Sequence, residues 1–290
     1  MALCLAPIAC TRNARTTTPP APAVPGVEVT TLIIDDQLTP PAAPEPTKSN
    51  PRPKQPKPTL TLSQALAPSL ARPSPLPDKV RQLWARNGLR AVTMPRTEFE
   101  AFAASLRIAG PIQHQFISQS NRWASVHRGT EARGVYPVQL DDGIVDISSG
   151  AFRLLLRCYL TPSSSDSYEA AMHLDFVPQH ADPRRMARAE PDPFNPTPPP
   201  ATLSDEGIVF EHLLFETVVS PNDALVIFSD SDAPASPDPT LGSRPFGPDF
   251  PSNPTLGDAL LSDALIGGRG RVRCILAFMP TTPEHFSILP

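Results

Sequence analysis

Glycine is scarce in this 290-residue chain, at 14 residues, which excludes a collagen-like repeat. Aromatic residues make up 6% and charged residues 19%, both thin for a globular protein of this length. The apolar share of 40% still supplies one real core. No stretch approaches the ~20 consecutive apolar residues that a spanning helix needs, so no membrane span is expected. There is no GxSxG elbow, no Walker A loop and no GxGxxG fingerprint. The six histidines, His114, His127, His173, His180, His212 and His285, show no close metal spacing such as HExxH. The four cysteines, Cys4, Cys10, Cys158 and Cys274, show no paired spacing either. Cys158 and Cys274 fall in apolar runs, the pattern of buried thiols in a reducing compartment. These absences argue for a non-enzymatic, intracellular protein with no catalytic residues, no metal and no cofactor.

What the chain has in excess is proline, at 40 residues. Residues 1–78 hold 17 of these, residues 79–180 only 5, and residues 181–290 the other 18. Charge is also divided. Residues 1–89 carry 10 Lys/Arg against 5 Asp/Glu, and the remainder carries 15 against 24. Proline at this density fixes φ, removes amide donors and disfavours helix in the residue before it. Residues 1–77 are therefore expected to form a disordered, basic arm with local polyproline II character. Met1 to Cys10 are apolar but lack a basic start and are broken by Pro7, so they read as a terminus rather than a secretory leader.

Residues 78–290 are expected to form a single β domain. Two helices precede the strands. Asp78, Val80, Leu83 and Trp84 give an amphipathic stripe closed by Gly88. Thr97 and Glu100 form a capping-box pattern ahead of Phe99, Phe102, Ala103 and Leu106. After Pro111 the period becomes about two. Strands are expected at 112–118, 122–128, 135–140, 144–147, 151–160, 168–177, 208–219, 224–228 and 272–279, with a short helix at 256–265; the run 208–219 is also long enough for a helix. Asp141-Asp142-Gly143 marks a hairpin. Strands without regular βαβ alternation point to an antiparallel sandwich or barrel, and their number fits a jelly-roll sandwich best. Proline-rich stretches at 182–202 and 233–254 are expected to be long surface loops.

Candidate chemistry is sparse. His173 and Asp175 share the wet face of one strand, where a metal or acid/base role competes with a plain solvated surface, and the solvated surface is the stronger reading. Ser229-Asp230-Ser231-Asp232 reads as a solvated turn open to phosphorylation. The run Lys48, Arg52, Lys54, Lys57 places four cations within ten residues, spaced by prolines and with no acid among them. Such a run reads either as a soluble linker that its charges keep solvated, or as a tether that neutralises RNA phosphates without reading sequence. Pro53-Lys54-Gln55-Pro56 also has the PxxP spacing of a ligand for a viral or host partner domain. Gly267-Gly268-Arg269-Gly270-Arg271 reads at least as well as a plain turn leading into the strand at 272–279; on the other reading its two guanidinium groups meet phosphate, and Arg269 and Arg271 join the candidate RNA contacts.

A basic arm ahead of a β domain resembles the arm-plus-shell layout of small RNA-virus coat proteins and the jelly-roll movement proteins of plant viruses. The abundance of Pro, Ala, Leu, Ser and Thr fits a cytosine-rich genome. By size and composition the chain is similar to the proline-rich accessory protein of grapevine fleck-type, tymovirus-like viruses (maculaviruses). A rival resemblance is the proline-alanine-serine-rich RNA-coating protein of polymycoviruses, which tends to be more basic than a chain of net charge −4. The first resemblance implies an accessory, movement-like or RNA- and partner-binding protein in the host cell cytoplasm. The alternative is a structural coat or RNA-coating subunit that forms homo-oligomers.

Overall fold

Between Pro25 and Pro40 the chain carries no proline, and Val27, Val29, Leu32, Ile33 and Ile34 crowd this window. β-branched residues at this density favour a pleated strand. The computed structural model describes residues 24–35, 62–106, 108–131, 135–147, 150–163, 169–182, 203–230, 255–264 and 271–283. In it Gly26–Asp35 forms strand β1, inside a sheet. The disordered-arm expectation for residues 1–77 is therefore corrected at two places. β1 is one. Helix α1 (Leu62–Leu70), with Leu62 and Leu66 buried, is the other. Averaging proline over the whole stretch hid both apolar windows. Residues 71–77, which join α1 to the next helix and bury Leu76 in the core, are described as well. The remaining residues of the expected arm, and the loops expected at 182–202 and 233–254 save Asp182, lie outside the described residues.

The chain continues with α2 (Asp78–Arg86), β2 (Leu89–Pro95), α3 (Arg96–Ser105), β3 (Gln113–Ser118) and β4 (Ser120–Glu131). A hairpin of β5 (Tyr136–Leu140) and β6 (Gly143–Ile147) follows, then β7 (Ala151–Pro162) and β8 (Ala170–Ala181). The last part holds α4 (Leu203–Glu206), β9 (Gly207–Val209), β10 (Phe215–Val219), β11 (Asp223–Ser229), α5 (Leu256–Leu261), β12 (Ser262–Ala264) and β13 (Arg271–Thr281). The fold is mainly β and antiparallel. One sheet has the order β2-β11-β13-β1-β3, with β12 also on β13. The other runs β10-β8-β7-β4, with β9 also on β8.

Alternation along the strands divides the apolar residues between two layers. Val29, Leu156, Phe176, Phe215, Leu276 and Phe278 lie in the core that joins the two sheets. Leu32, Ile34, Val92, Phe228 and Ile275 belong to a second cluster, together with Leu66 of α1 and Phe99 of α3. β11 and β13, in the middle of the first sheet, are thus buried on both faces, which explains why they read as continuous apolar runs. Aromatic edges fill the first core. Trp84 meets Phe215 edge-on at 4.7 Å and donates its indole N–H to the Leu213 carbonyl at 2.8 Å.

The turn at Asn87-Gly88 ties four elements together. The buried Asn87 amide donates to the carbonyls of Leu83 and Gln139 at 2.9 and 2.7 Å and accepts from the Gln139 N–H at 2.9 Å. Gly257 donates to the Asn87 carbonyl and Asp230 to the Gly88 carbonyl, at 2.8 and 2.9 Å. Gly88 has φ +70°, and a Cβ there would overlap the Thr255 side chain, so both backbone and space select glycine.

Several local expectations change. Helix α3 starts at Arg96 with Pro95 as its cap residue, and no side-chain capping bond forms, so the Thr97/Glu100 box is not made. The Arg96 N–H instead donates to the Asn222 carbonyl at 2.8 Å. The stretch 208–219 is not one strand but β9, a 3₁₀ turn at Glu211–Leu213 and β10. The turn lets Leu213 and Phe215 both enter the core. The stretch 256–265 becomes α5 followed by β12. Thr255 caps α5 reciprocally with Asp258, each accepting a backbone N–H from the other at 3.0–3.1 Å.

Two substitutions check this packing in urea unfolding. Phe99→Ala is expected to cost about 3–5 kcal/mol, and Phe102→Ala clearly less, because Phe99 is 3% exposed while Phe102 is only partly buried. Asn87→Ala leaves buried carbonyl and N–H groups without their partner and is expected to cost at least about 1–3 kcal/mol. A loss below about 0.5 kcal/mol would show that this turn does not hold the elements together.

Candidate binding face on the five-stranded sheet

Inward residues of β7 and β8 are Leu154, Leu156, Cys158, Met172, Leu174 and Phe176. Strand alternation therefore turns Arg153, Leu155, Arg157, Tyr159, His173, Asp175, Val177 and Gln179 to the opposite, outer face. The long hairpin register sets these residues against each other: Tyr159 faces His173, Arg157 faces Asp175 and Arg153 faces Gln179. On the next strand, Glu216 faces Asp175 and Val218 faces His173. β4 contributes Trp123 on the far side of Arg157.

The result is a row of Trp123, Arg157, Asp175 and Glu216 across four strands. The Arg157 guanidinium lies 5.0 Å from the Trp123 ring centroid, within cation–π range. Its Nε donates to Asp175 Oδ2. Asp175 is wholly buried although it lies on the outer face. Its other oxygen accepts from His173 Nε2 at 2.8 Å. Glu216 Oε2 lies 3.8 Å from the same nitrogen. Tyr159 stacks on His173, with ring centroids 4.5 Å apart and planes inclined by 12°. The hydrogen bond from Arg157 to Asp175 holds the guanidinium pKa above its ordinary value. Tyr159 is also raised, first by desolvation and then by the charges of Asp175 and Glu216.

At the other end of the face, Arg153 donates to Gln179 Oε1 at 2.5 Å and to Glu206 of α4. Gln179 in turn donates to the Leu203 carbonyl at 2.6 Å. This second polar group fastens α4 to the sheet. Directly opposite Arg153 on β4 stands Arg128, which is exposed.

The candidate RNA contacts divide as follows. Lys48, Arg52, Lys54, Lys57 and Arg269 lie outside the described residues. Arg271 opens β13 opposite Ala264 of β12, so its backbone belongs to the other sheet. The acidic serine cluster is corrected in its first half. Ser229 is buried at the end of β11, and buried Asp230 accepts from Arg90 at 2.9 Å, because the Gly88 carbonyl draws the backbone inward here. Asp141, the hairpin turn residue, pairs with Lys79, whose hydrogen bond lowers its pKa. The His173/Asp175 pair was legible in the sequence. Trp123, Arg157, Tyr159 and Glu216 were not, because they join it only through register. In the sequence, Pro162-Ser163-Ser164-Ser165-Asp166-Ser167 has turn-forming composition, and this is the signal that could have supplied that register for Arg157 and Tyr159.

A groove of about 280 Å³ beside α2 is lined by Arg72, Arg81 and Arg90, but each already holds a carboxylate: Glu98, Asp78 and Asp230. The arginines of the sheet face are paired too, Arg157 with Asp175 and Arg153 with Glu206, but the face adds Trp123 against Arg157 and the exposed ring of Tyr159, which makes it the stronger candidate. Among the described residues, no helix is long and apolar enough to cross a membrane.

Replacing Arg157 by Met leaves a buried carboxylate without its cation. The expected loss is about 3 kcal/mol, the low end for a broken buried pair because the Arg157 side chain is 35% exposed. Adding Asp175→Asn should restore much of it, and a double variant as unstable as the single one would contradict the pairing. Cys158, on the inner face, carries a free thiol whose pKa burial pushes up to about 11. Its native labelling should stay slow at pH 8–9 and accelerate in urea, with Cys158→Ser as the comparison. Rapid native labelling would place the thiol in solvent. No family model, curated protein or solved structure matches this chain, so the reading of the face rests on its own chemistry.

Proposed function

We propose that this chain is a non-enzymatic accessory protein of an RNA virus, acting in the host cell cytoplasm and binding single-stranded RNA with little sequence preference. The observation that carries the reading is the outer sheet face, where Trp123 and Tyr159 are joined to Arg157 and His173. Aromatic rings and guanidinium planes on a sheet surface are what unstacked bases bind, and stacking tolerates any sequence because every base has a π-face. Exposed Arg128, opposite Arg153 at the other end of the same face, adds a cation for the phosphates.

The basic run Lys48, Arg52, Lys54, Lys57 supports the same reading from the sequence. It falls between β1 and α1, two elements of the packed domain, so the chain holds it at both ends. We retain the arm-plus-sandwich likeness to small RNA-virus proteins in that modified form. The jelly-roll refinement has less support, since β4, β7, β8 and β10 follow one another as a meander rather than crossing between sheets.

A structural coat or coating subunit is the second reading, and β3 favours it. This end strand, Gln113–Ser118, is largely exposed and contains no Lys, Glu or Pro, residues that commonly block edge pairing. Size-exclusion chromatography separates the two readings. A large ribonuclease-sensitive assembly supports coating, and a small oligomer indifferent to RNA in its size supports an accessory role.

Binding of a labelled single-stranded RNA, followed by fluorescence anisotropy, tests the proposal. Trp123→Ala is expected to weaken binding by about 1–3 kcal/mol for each base stacked there. Four phosphate contacts from the 48–57 run imply a log-log salt slope of roughly −3, which Gln at all four positions should flatten. Affinity unchanged in both variants, or no RNA binding by the native chain, would refute the reading.

A further inference from the structure

The strand register that builds the binding face also brings three metal-ligating groups together. His173, Asp175 and Glu216 have donor atoms that all lie within 4.8 Å of one another. His173 Nε2 is 2.8 Å from Asp175 Oδ1 and 3.8 Å from Glu216 Oε2. In a tetrahedral zinc site with bonds of about 2.0–2.1 Å, donor atoms stand about 3.3 Å apart. The two observed separations bracket that value, so rotation of the half-exposed Glu216 side chain suffices to close the set.

The surroundings are those of a built site. Asp175 is fully buried and its outer oxygen is taken by Arg157, which leaves Oδ1 facing the histidine. Stacking against Tyr159 fixes the plane of the imidazole. Metal-ligating carboxylates and histidines are held by outer partners of this kind, and those partners tune affinity. Charge also favours a cation. Two carboxylates face one guanidinium, and with neutral imidazole the group keeps one negative charge.

We propose that His173, Asp175 and Glu216 bind a first-row divalent cation, with Zn²⁺ the best match to one imidazole and two carboxylates. Three protein ligands leave a coordination position open to water or to an oxygen of a bound molecule. The ion takes the place of the Nε2 proton now shared with Asp175, and that proton leaves to solvent or moves to Nδ1. This proposal is independent of the RNA reading, because it uses the geometry of three side chains and no nucleic acid.

The test is titration of the full-length chain with Zn²⁺ by calorimetry, beside Glu216→Gln and His173→Gln. Glu216 is more than half exposed on β10, so its substitution leaves the core untouched. The native chain is expected to bind one equivalent that each variant binds at least about 100-fold more weakly, exceeding the cost of losing an outer partner. Tyr159→Ala, which removes only the orienting ring, should weaken binding about 10-fold. The Co²⁺-loaded native chain should show the visible absorption of a low-coordinate nitrogen and oxygen field. No Zn²⁺ binding, equal affinity in both ligand variants, or a thiolate-to-Co²⁺ band placing the ion on cysteine would overturn the proposal.

Discussion

Ten consecutive residue pairs join β1 to β13, from Gly26 opposite Thr281 to Asp35 opposite Val272. Much of the molecule depends on this ladder. β1 is the strand that links β13 to β3, and β3 has no other strand partner among the described residues. The chain then turns at Gln119, whose N–H donates to the Pro25 carbonyl at 2.9 Å, and enters β4 of the second sheet. β4 carries Trp123 to Arg157. A strand from the proline-rich N-terminal region thus positions an aromatic ring on the opposite sheet. On its other face β1 supplies Leu32 and Ile34 to the layer under α1 and α3.

The binding face shows how a sheet assembles chemistry from distant sequence. In an antiparallel pair, directly opposed residues have neighbouring Cβ atoms, so register alone decides which side chains meet. A one-residue slip would send Arg157, Asp175, Tyr159 and His173 inward and the leucines outward. That is prevented by the inner face, where Leu154, Leu156, Leu174 and Phe176 are fully buried. The same hydrophobic pattern that stabilises the sandwich therefore fixes the Arg157–Asp175 pair and the Tyr159–His173 stack. Burial of Asp175 raises the stakes, since an unpaired carboxylate there would be costly. Arg157 and His173 occupy its two oxygens and remove that cost.

Much of the fold was legible because the period of the apolar residues changes after Pro111. The strands at 151–160 and 272–279, and the hairpin at Asp141-Asp142-Gly143, follow from alternation and turn chemistry that act locally. What was missed has non-local causes. β2 (Leu89–Pro95) is buried on both faces and so carries little alternation. β1 was masked by prolines on either side of it. The 3₁₀ turn at Glu211–Leu213 interrupts an apolar run without any glycine or proline to mark it. Of the candidate face, His173 and Asp175 were visible as neighbours on one strand. Arg157 and Tyr159 meet that pair only through the register of the hairpin, and no spacing within the sequence announces Glu216 or Trp123.

The most direct test of this account is native-state hydrogen exchange on the full-length chain, resolved to the amides of Val27 to Ile34. Incorporation of β1 into the sheet predicts that they exchange as slowly as those of Cys274 to Phe278 on β13, through the same global unfolding. Exchange of the β1 amides at unprotected rates, while β13 stays protected, would contradict it. The first sheet would then end at β13, and the path that brings Trp123 to Arg157 would lose its anchor.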